Sequence, residues 1–224
     1  MEITITDDAE GAATEVARLL VTVARAGGHV ALSGGSTPRR AYELAAELEP
    51  DWGAVDVWLA DERCVPPEDE LANVRLVRET LGSITTSPPV VHPVDTALTP
   101  AEAAALYDAG LLGVAFELVL LGLGTDGHTA SLFPNAPSLA EDKALAVAAA
   151  PGLAPWVDRV TMTIPALAAA REVVFLAVGA DKADAARRAF AEPPSTATPA
   201  SLVRSAEGRT VAILDRAAAA DLAA

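Results

Sequence analysis

Apolar runs and amphipathic stretches alternate along almost the whole chain. The runs EITIT (2–6), HVALS (29–33), VDVWLA (55–60), FELVLLG (116–122), ALAVAAA (144–150), RVTMTI (159–164), EVVFLAVG (172–179) and TVAIL (210–214) read as strands. Between them, residues 8–26, 38–48, 71–81, 100–112, 165–170 and 181–190 read as helices, with Pro38, Pro100 and Pro165 suited to first-turn positions. This order is the signature of βαβ units, and predicts an α/β fold built on a mainly parallel sheet. Several runs are apolar at every position rather than at every second one, as expected where helices cover both faces of the sheet. Segments 83–100 and 191–200, rich in Pro, Ser and Thr, read as surface loops too short to be linkers, so residues 1–224 are expected to form one domain.

Composition narrows the possibilities. At 224 residues and 51% hydrophobic, the chain can bury a core without disulfides, and its one cysteine, Cys64, has no internal partner. A net charge of −15 argues against nucleic acid or an anionic membrane as partner, and means that an anionic ligand would require a local cationic pocket. No apolar segment is long enough to span a bilayer and no leader-like pattern opens the chain, so a cytoplasmic location is expected.

In open parallel sheets, ligands bind beyond the carboxyl ends of the strands, and four such ends carry unusual residues. Ser33-Gly34-Gly35-Ser36-Thr37-Pro38 joins a strand to a helix and brings free N–H groups, hydroxyls and a helix N-terminus together, an anion cradle in which Ser36 or Thr37 can cap the helix. It lacks the Lys-Ser/Thr pair of a nucleotide-triphosphate loop, and an ordinary glycine-rich turn is the competing reading. Asp61-Glu62-Arg63-Cys64 follows the third run, where an arginine can neutralise an oxyanion and Cys64, with no base near it in sequence, reads as an inert thiol. A surface charge cluster is the alternative there.

The strongest chemical signal is Gly124-Thr125-Asp126-Gly127-His128, a carboxylate two residues before an imidazole, which is the composition of an oriented general base. Spacing alone leaves open whether Asp126 orients His128 or contacts sugar hydroxyls. The G-x-G-x-x-G formed by Gly122, Gly124 and Gly127 is a weak dinucleotide match, because His128 follows the third glycine and Pro134 soon interrupts the helix such a site requires. Lys182, one of two lysines, opens a helix after a strand, and Arg159 opens a strand, so its reach depends on topology. His29 and His92 read as structural or exposed, and no spacing supports a zinc site.

Taken in order, SGGSTP, DERCVP with Asn73 downstream, GLGTDGHTASLFP, RVTMT and GADKA resemble the 6-phosphogluconolactonase family from about residue 8 to 215. The resemblance implies a Rossmann-like fold of the sugar-phosphate isomerase/CoA-transferase kind, a phosphorylated sugar lactone as substrate, and no metal or organic cofactor. It also implies roles: His128 activates water, Asp126 supports it, Arg63 lies near the carbonyl or ring oxygens, and Gly35, Ser36 and Thr37 receive the phosphate with Lys182 and Arg159, while Gly34, Asp61 and Asn73 join in binding the substrate. Ala72 stands where a serine is expected, which leaves the role of that loop open. The expected assembly is a monomer or weak homo-oligomer. The resembling deaminases carry an acid a few residues after the histidine, where this chain has Phe133, and a sugar-phosphate sensor would carry a basic DNA-binding segment that this acidic chain lacks.

Overall fold

The computed structural model describes residues 1–152 and 154–222. In chain order the elements are β1 (Glu2–Thr6), α1 (Ala9–Ala26), β2 (Gly28–Leu32), α2 (Ser36–Leu48), β3 (Val55–Leu59), β4 (Asp61–Arg63), α3 (Asn73–Val77), β5 (Val90–His92), α4 (Pro100–Leu111), β6 (Phe116–Gly122), β7 (Ala146–Ala149), β8 (Arg159–Met162), α5 (Ile164–Ala168), β9 (Glu172–Ala177), α6 (Ala183–Phe190) and β10 (Arg209–Asp215). Helix limits follow local chemistry. Asp8 accepts from the Gly11 amide at 2.8 Å to start α1, and Gly27, at φ +76°, ends it. Thr99 and Glu102 form a reciprocal capping box at the start of α4, with Pro100 in its first turn.

Seven strands pair in the order β1-β10-β9-β6-β2-β3-β5, and every pairing is parallel. The alternation of side chains divides the core in two. Val30, Leu32, Val57, Leu59, Val174 and Leu176 pack with α1, α2 and α3 on one face, while Ala31, Trp58, Phe175 and Leu214 pack with α4, α5 and α6 on the other. The sheet is therefore covered on both sides, as its unbroken apolar runs predict.

Three expectations need correction. Runs 144–150 and 159–164 do not join the parallel sheet: β7 and β8 pair antiparallel with each other, and β8 pairs antiparallel with β4, in a separate three-stranded sheet. Apolar continuity reports burial, and these strands are buried against the α4 face of the main sheet, so the run does not disclose which sheet it joins. Segment 83–100, read as loop, contains the edge strand β5, only three residues long. Finally, the cap of α2 is Gly35, with no side-chain cap hydrogen bond, so neither Ser36 nor Thr37 caps that helix. No described helix is long and apolar enough to cross a membrane.

Candidate active site

Strands β9, β6, β2 and β3 are consecutive neighbours running the same way, so the four polar strand ends lie along one edge of the sheet. The chain turns outward in opposite directions from the β2/β6 pair, the topological switch point at which such sheets open a crevice. A pocket there is lined by residues from all four ends, among them Gly34, Gly35, Ser36, Thr37, Asp61, Arg63, His128 and Lys182, and also by Arg159.

At the end of β2, Gly35 adopts φ +111°, a conformation that favours glycine, and presents the amides that open α2. Gly34 is demanded by space: a Cβ there would lie 1.7 Å from Asn73 Oδ1. The buried Ser33 hydroxyl has no protein partner and borders the pocket.

Beyond β3 the chain enters β4, whose residues divide the work. Asp61 is buried, accepts from Ser131 Oγ at 2.5 Å, and faces the pocket. Glu62 is 1% exposed and accepts from the amides of Arg63, Asn73 and Val74 at 2.7–2.8 Å. Burial pushes its carboxyl up to about 7, against three amides that favour the charged form. Arg63 donates through Nη1 to Leu71 O and Asn73 Oδ1, at 2.9 and 2.5 Å, while its Nε is buried without a partner among the described residues. Burial pushes the Cys64 thiol up, with Asp158 and Glu62 adding to the effect, so it stays protonated, as an inert thiol should.

Asn73 departs from expectation. It is 2% exposed and does not line the pocket; its Nδ2 donates to Asp61 O and Oδ1, and its Oδ1 accepts from Arg63. Its hydrogen-bonding capacity is directed to the two charged residues that do face the crevice.

The turn after β6 is closed by Gly127 N donating to Gly124 O and by Gly124 N donating to His128 O, both at 2.9 Å. Asp126 Oδ1 accepts from the His128 amide at 3.0 Å and lies 2.6 Å from His128 Nδ1. The ring is thus tethered through Nδ1, leaving Nε2 as the nitrogen free for chemistry, and His128 lines the pocket whereas Asp126 does not. Burial pushes the Asp126 carboxyl up, but hydrogen bonds and charge from His128 prevail and hold it below the usual carboxylate value. At the end of β9, Lys182 completes a short turn and, among the described residues, reaches only Asp181, at 3.4 Å.

Arg159 reaches the crevice because β8 runs antiparallel to β4, so the start of one strand meets the end of the other. Arg63 and Arg159 are direct register partners. Arg159 is 4% exposed, donates to Pro155 O at 3.3 Å, stands 5.5 Å over the Phe133 ring, and among the described residues leaves Nε unpartnered. Phe133 also meets the His128 ring, centroids 5.1 Å apart.

Sequence reasoning did not single out Ser33, Ser131 or Arg188. Arg188 Nη1 and Nη2 bond to Asp126 O and Thr125 O at 3.2 and 3.0 Å, behind the histidine turn. Ser33 opens the quoted SGGSTP motif and Ser131 follows His128 by three, so position within the motifs was the available signal; Arg188 carries none, being one of two adjacent arginines on a helix. His29 and His92 flank Asp56, His92 Nε2 lying 2.6 Å from Oδ1, and neither lines the pocket. Among the described residues, no three His, Cys, Asp or Glu side chains converge as metal ligands.

Comparison with known proteins places this geometry. A 6-phosphogluconolactonase from Synechocystis sp. is 36% identical over 219 residues, covering 92% of this chain and 89% of the relative. The solved 6-phosphogluconolactonase from Trypanosoma brucei superposes with a TM-score of 0.86 at 28% identity, covering 99% and 98% of the two chains. A monomeric glucosamine-6-phosphate deaminase superposes with a TM-score of 0.85 over 99% and 100%, but at 17% identity, a likeness of fold alone. The family model for glucosamine-6-phosphate isomerases/6-phosphogluconolactonase matches residues 6–212, and it is to this family that the chain belongs.

Proposed function

We propose that this chain hydrolyses 6-phospho-D-glucono-1,5-lactone to 6-phospho-D-gluconate, the lactone-opening step of the oxidative pentose phosphate pathway, and that it does so in the cytoplasm. The observation that carries the catalytic reading is the Asp126–His128 pair, in which the tethered Nδ1 leaves Nε2 at the pocket as base. Nε2 takes a proton from water as the oxygen attacks C1, and the charge developing on the carbonyl oxygen falls beside Arg63, which lines the pocket. Collapse breaks the bond from C1 to the ring oxygen, which receives the proton held by His128, so water is added across one bond and no other reactant is needed. The phosphate lies on the Gly35 amide and on Ser36 and Thr37, with Lys182 and Arg159 supplying positive charge.

The deaminase reading has less support. It requires a carboxylate near the reacting sugar after the histidine, and the residue there, Phe133, is buried and apolar.

Freshly generated lactone, followed through 6-phosphogluconate, should be hydrolysed well above the spontaneous rate, while glucosamine 6-phosphate should release no ammonia. His128→Ala should lower turnover by about two to four powers of ten and leave product binding nearly intact. Lys182→Ala or Thr37→Ala should chiefly raise KM, since phosphate is held throughout the reaction. Full turnover in the His128 variant would overturn the catalytic assignment.

A further inference from the structure

The histidine turn is built from two sides. Inside, Asp126 and His128 satisfy each other and the turn closes on itself through the Gly124 carbonyl. The carbonyls of Thr125, Asp126 and Gly127 are not used by those bonds, and all three are taken up from the C-terminal part of the chain. Arg188 Nη2 donates to Thr125 O at 3.0 Å, Arg188 Nη1 to Asp126 O at 3.2 Å, and the Ala200 amide to Gly127 O at 3.0 Å. Arg188 Nη1 also donates to Thr198 Oγ1 at 3.0 Å, and Nε to Asp184 Oδ2 at 2.8 Å. Every nitrogen of the guanidinium thus has an acceptor, and its planar fork spans two consecutive carbonyls in a way an ammonium cannot.

The approach is close enough to restrict the turn. A Cβ on Gly127, at φ +91°, would lie 2.9 Å from Thr198 Cγ2 and 3.0 Å from Arg188 Nη1. A surface ion pair with Asp184 is the plain alternative, but Asp184 is mostly exposed and such a pair contributes little, whereas the two carbonyl bonds end on the peptide units beside Asp126.

We propose that Arg188 is a positioning residue for hydrolysis: it holds the backbone of the Asp126–His128 turn from behind, so that the ring presents Nε2 to the pocket. This rests on the assignment of His128 as base. Arg188 itself does not line the pocket. Loss of its fork lets the turn relax, and misplacement of a base by about 1 Å can cost on the order of a hundredfold in rate while substrate still binds.

The test is steady-state lactone hydrolysis by Arg188→Ala, Arg188→Lys and Arg187→Ala, with product affinity measured by titration calorimetry and folding by circular dichroism. Arg187 lies on the same helix but, among the described residues, pairs only with Asp184 and Glu192, so its variant controls for lost surface charge. Arg188→Ala is expected to lower kcat by about ten- to a hundredfold with KM and product affinity within about threefold. Guanidinium ion at millimolar concentration should restore part of kcat to Arg188→Ala and none to Arg187→Ala, and Arg188→Lys, which cannot span both carbonyls, should stay low. Wild-type kcat in a folded Arg188→Ala or Arg188→Lys overturns the inference, as does a loss of kcat matched by loss of product binding and unmoved by guanidinium. His128→Ala in the same assay separates the two claims: if it is inactive while Arg188→Ala is normal, only the inference about Arg188 fails.

Discussion

Glu62 illustrates how a charged residue can serve a site it never touches. Its carboxylate gathers the amides of Arg63, Asn73 and Val74, so the strand bearing Arg63 and the start of α3 hang from one side chain. Burial raises its carboxyl to about 7, above the ordinary 4.5 of an unfolded chain. Between those values the native state keeps a proton that the unfolded state has released, so this group makes stability fall as pH rises through that window, and adds no further slope above it. Glu62→Gln, which cannot ionise, should escape that fall. Its stability relative to wild type should improve by at most about 3 kcal/mol between pH 4.5 and 8, read from urea denaturation at each pH. Parallel curves for the two proteins would mean that folding does not raise the Glu62 carboxyl.

Among the elements, the loop after β2 and the start of α3 interlock where Gly34 meets Asn73. Gly34→Ala should force Asn73 aside, cost about 1–3 kcal/mol of stability as overpacking does, and lower kcat/KM because Asn73 holds Arg63. Denaturation and steady-state kinetics together check it; a variant unchanged in both would show that the loops separate freely. Elements were legible where chemistry was local. Long apolar runs followed by glycine or charge marked the ends of β2, β3, β6 and β9, and with them nearly every residue now found at the pocket. What escaped depends on distant pairing. The three residues of β5 lie among prolines, and the register that sets Arg159 opposite Arg63 comes from an antiparallel strand that reads like a parallel one. Asn73 was visible as a polar residue in a suggestive loop, but its engagement with Asp61 and Arg63 follows from folding, which alone brings β4 and α3 together.

At the scale of the whole molecule, a chain of net charge −15 concentrates unpartnered guanidinium nitrogens at one crevice. Burial is the main cost of keeping Arg159 charged; Arg63, directly opposite it across the antiparallel pair, adds repulsion, which the carboxylate of Asp61 offsets. Arg159→Met, which keeps length and a contact for Phe133, should raise the melting temperature in the absence of ligand, by the equivalent of about 1 kcal/mol, while weakening binding of 6-phosphogluconate. Saturating product should raise the melting temperature of wild type more than that of the variant. A variant less stable than wild type would place the net value of Arg159 in its packing. Arg159 also sets a direction for laboratory evolution. A library selected for thermal survival alone should accumulate neutral residues at 159, where burial opposes the charge, while Arg63 is kept by its bonds to Leu71 and Asn73; its survivors arrive heat-resistant and inert, whereas selection on lactone turnover must retain the buried charge and seek its stability elsewhere in the chain.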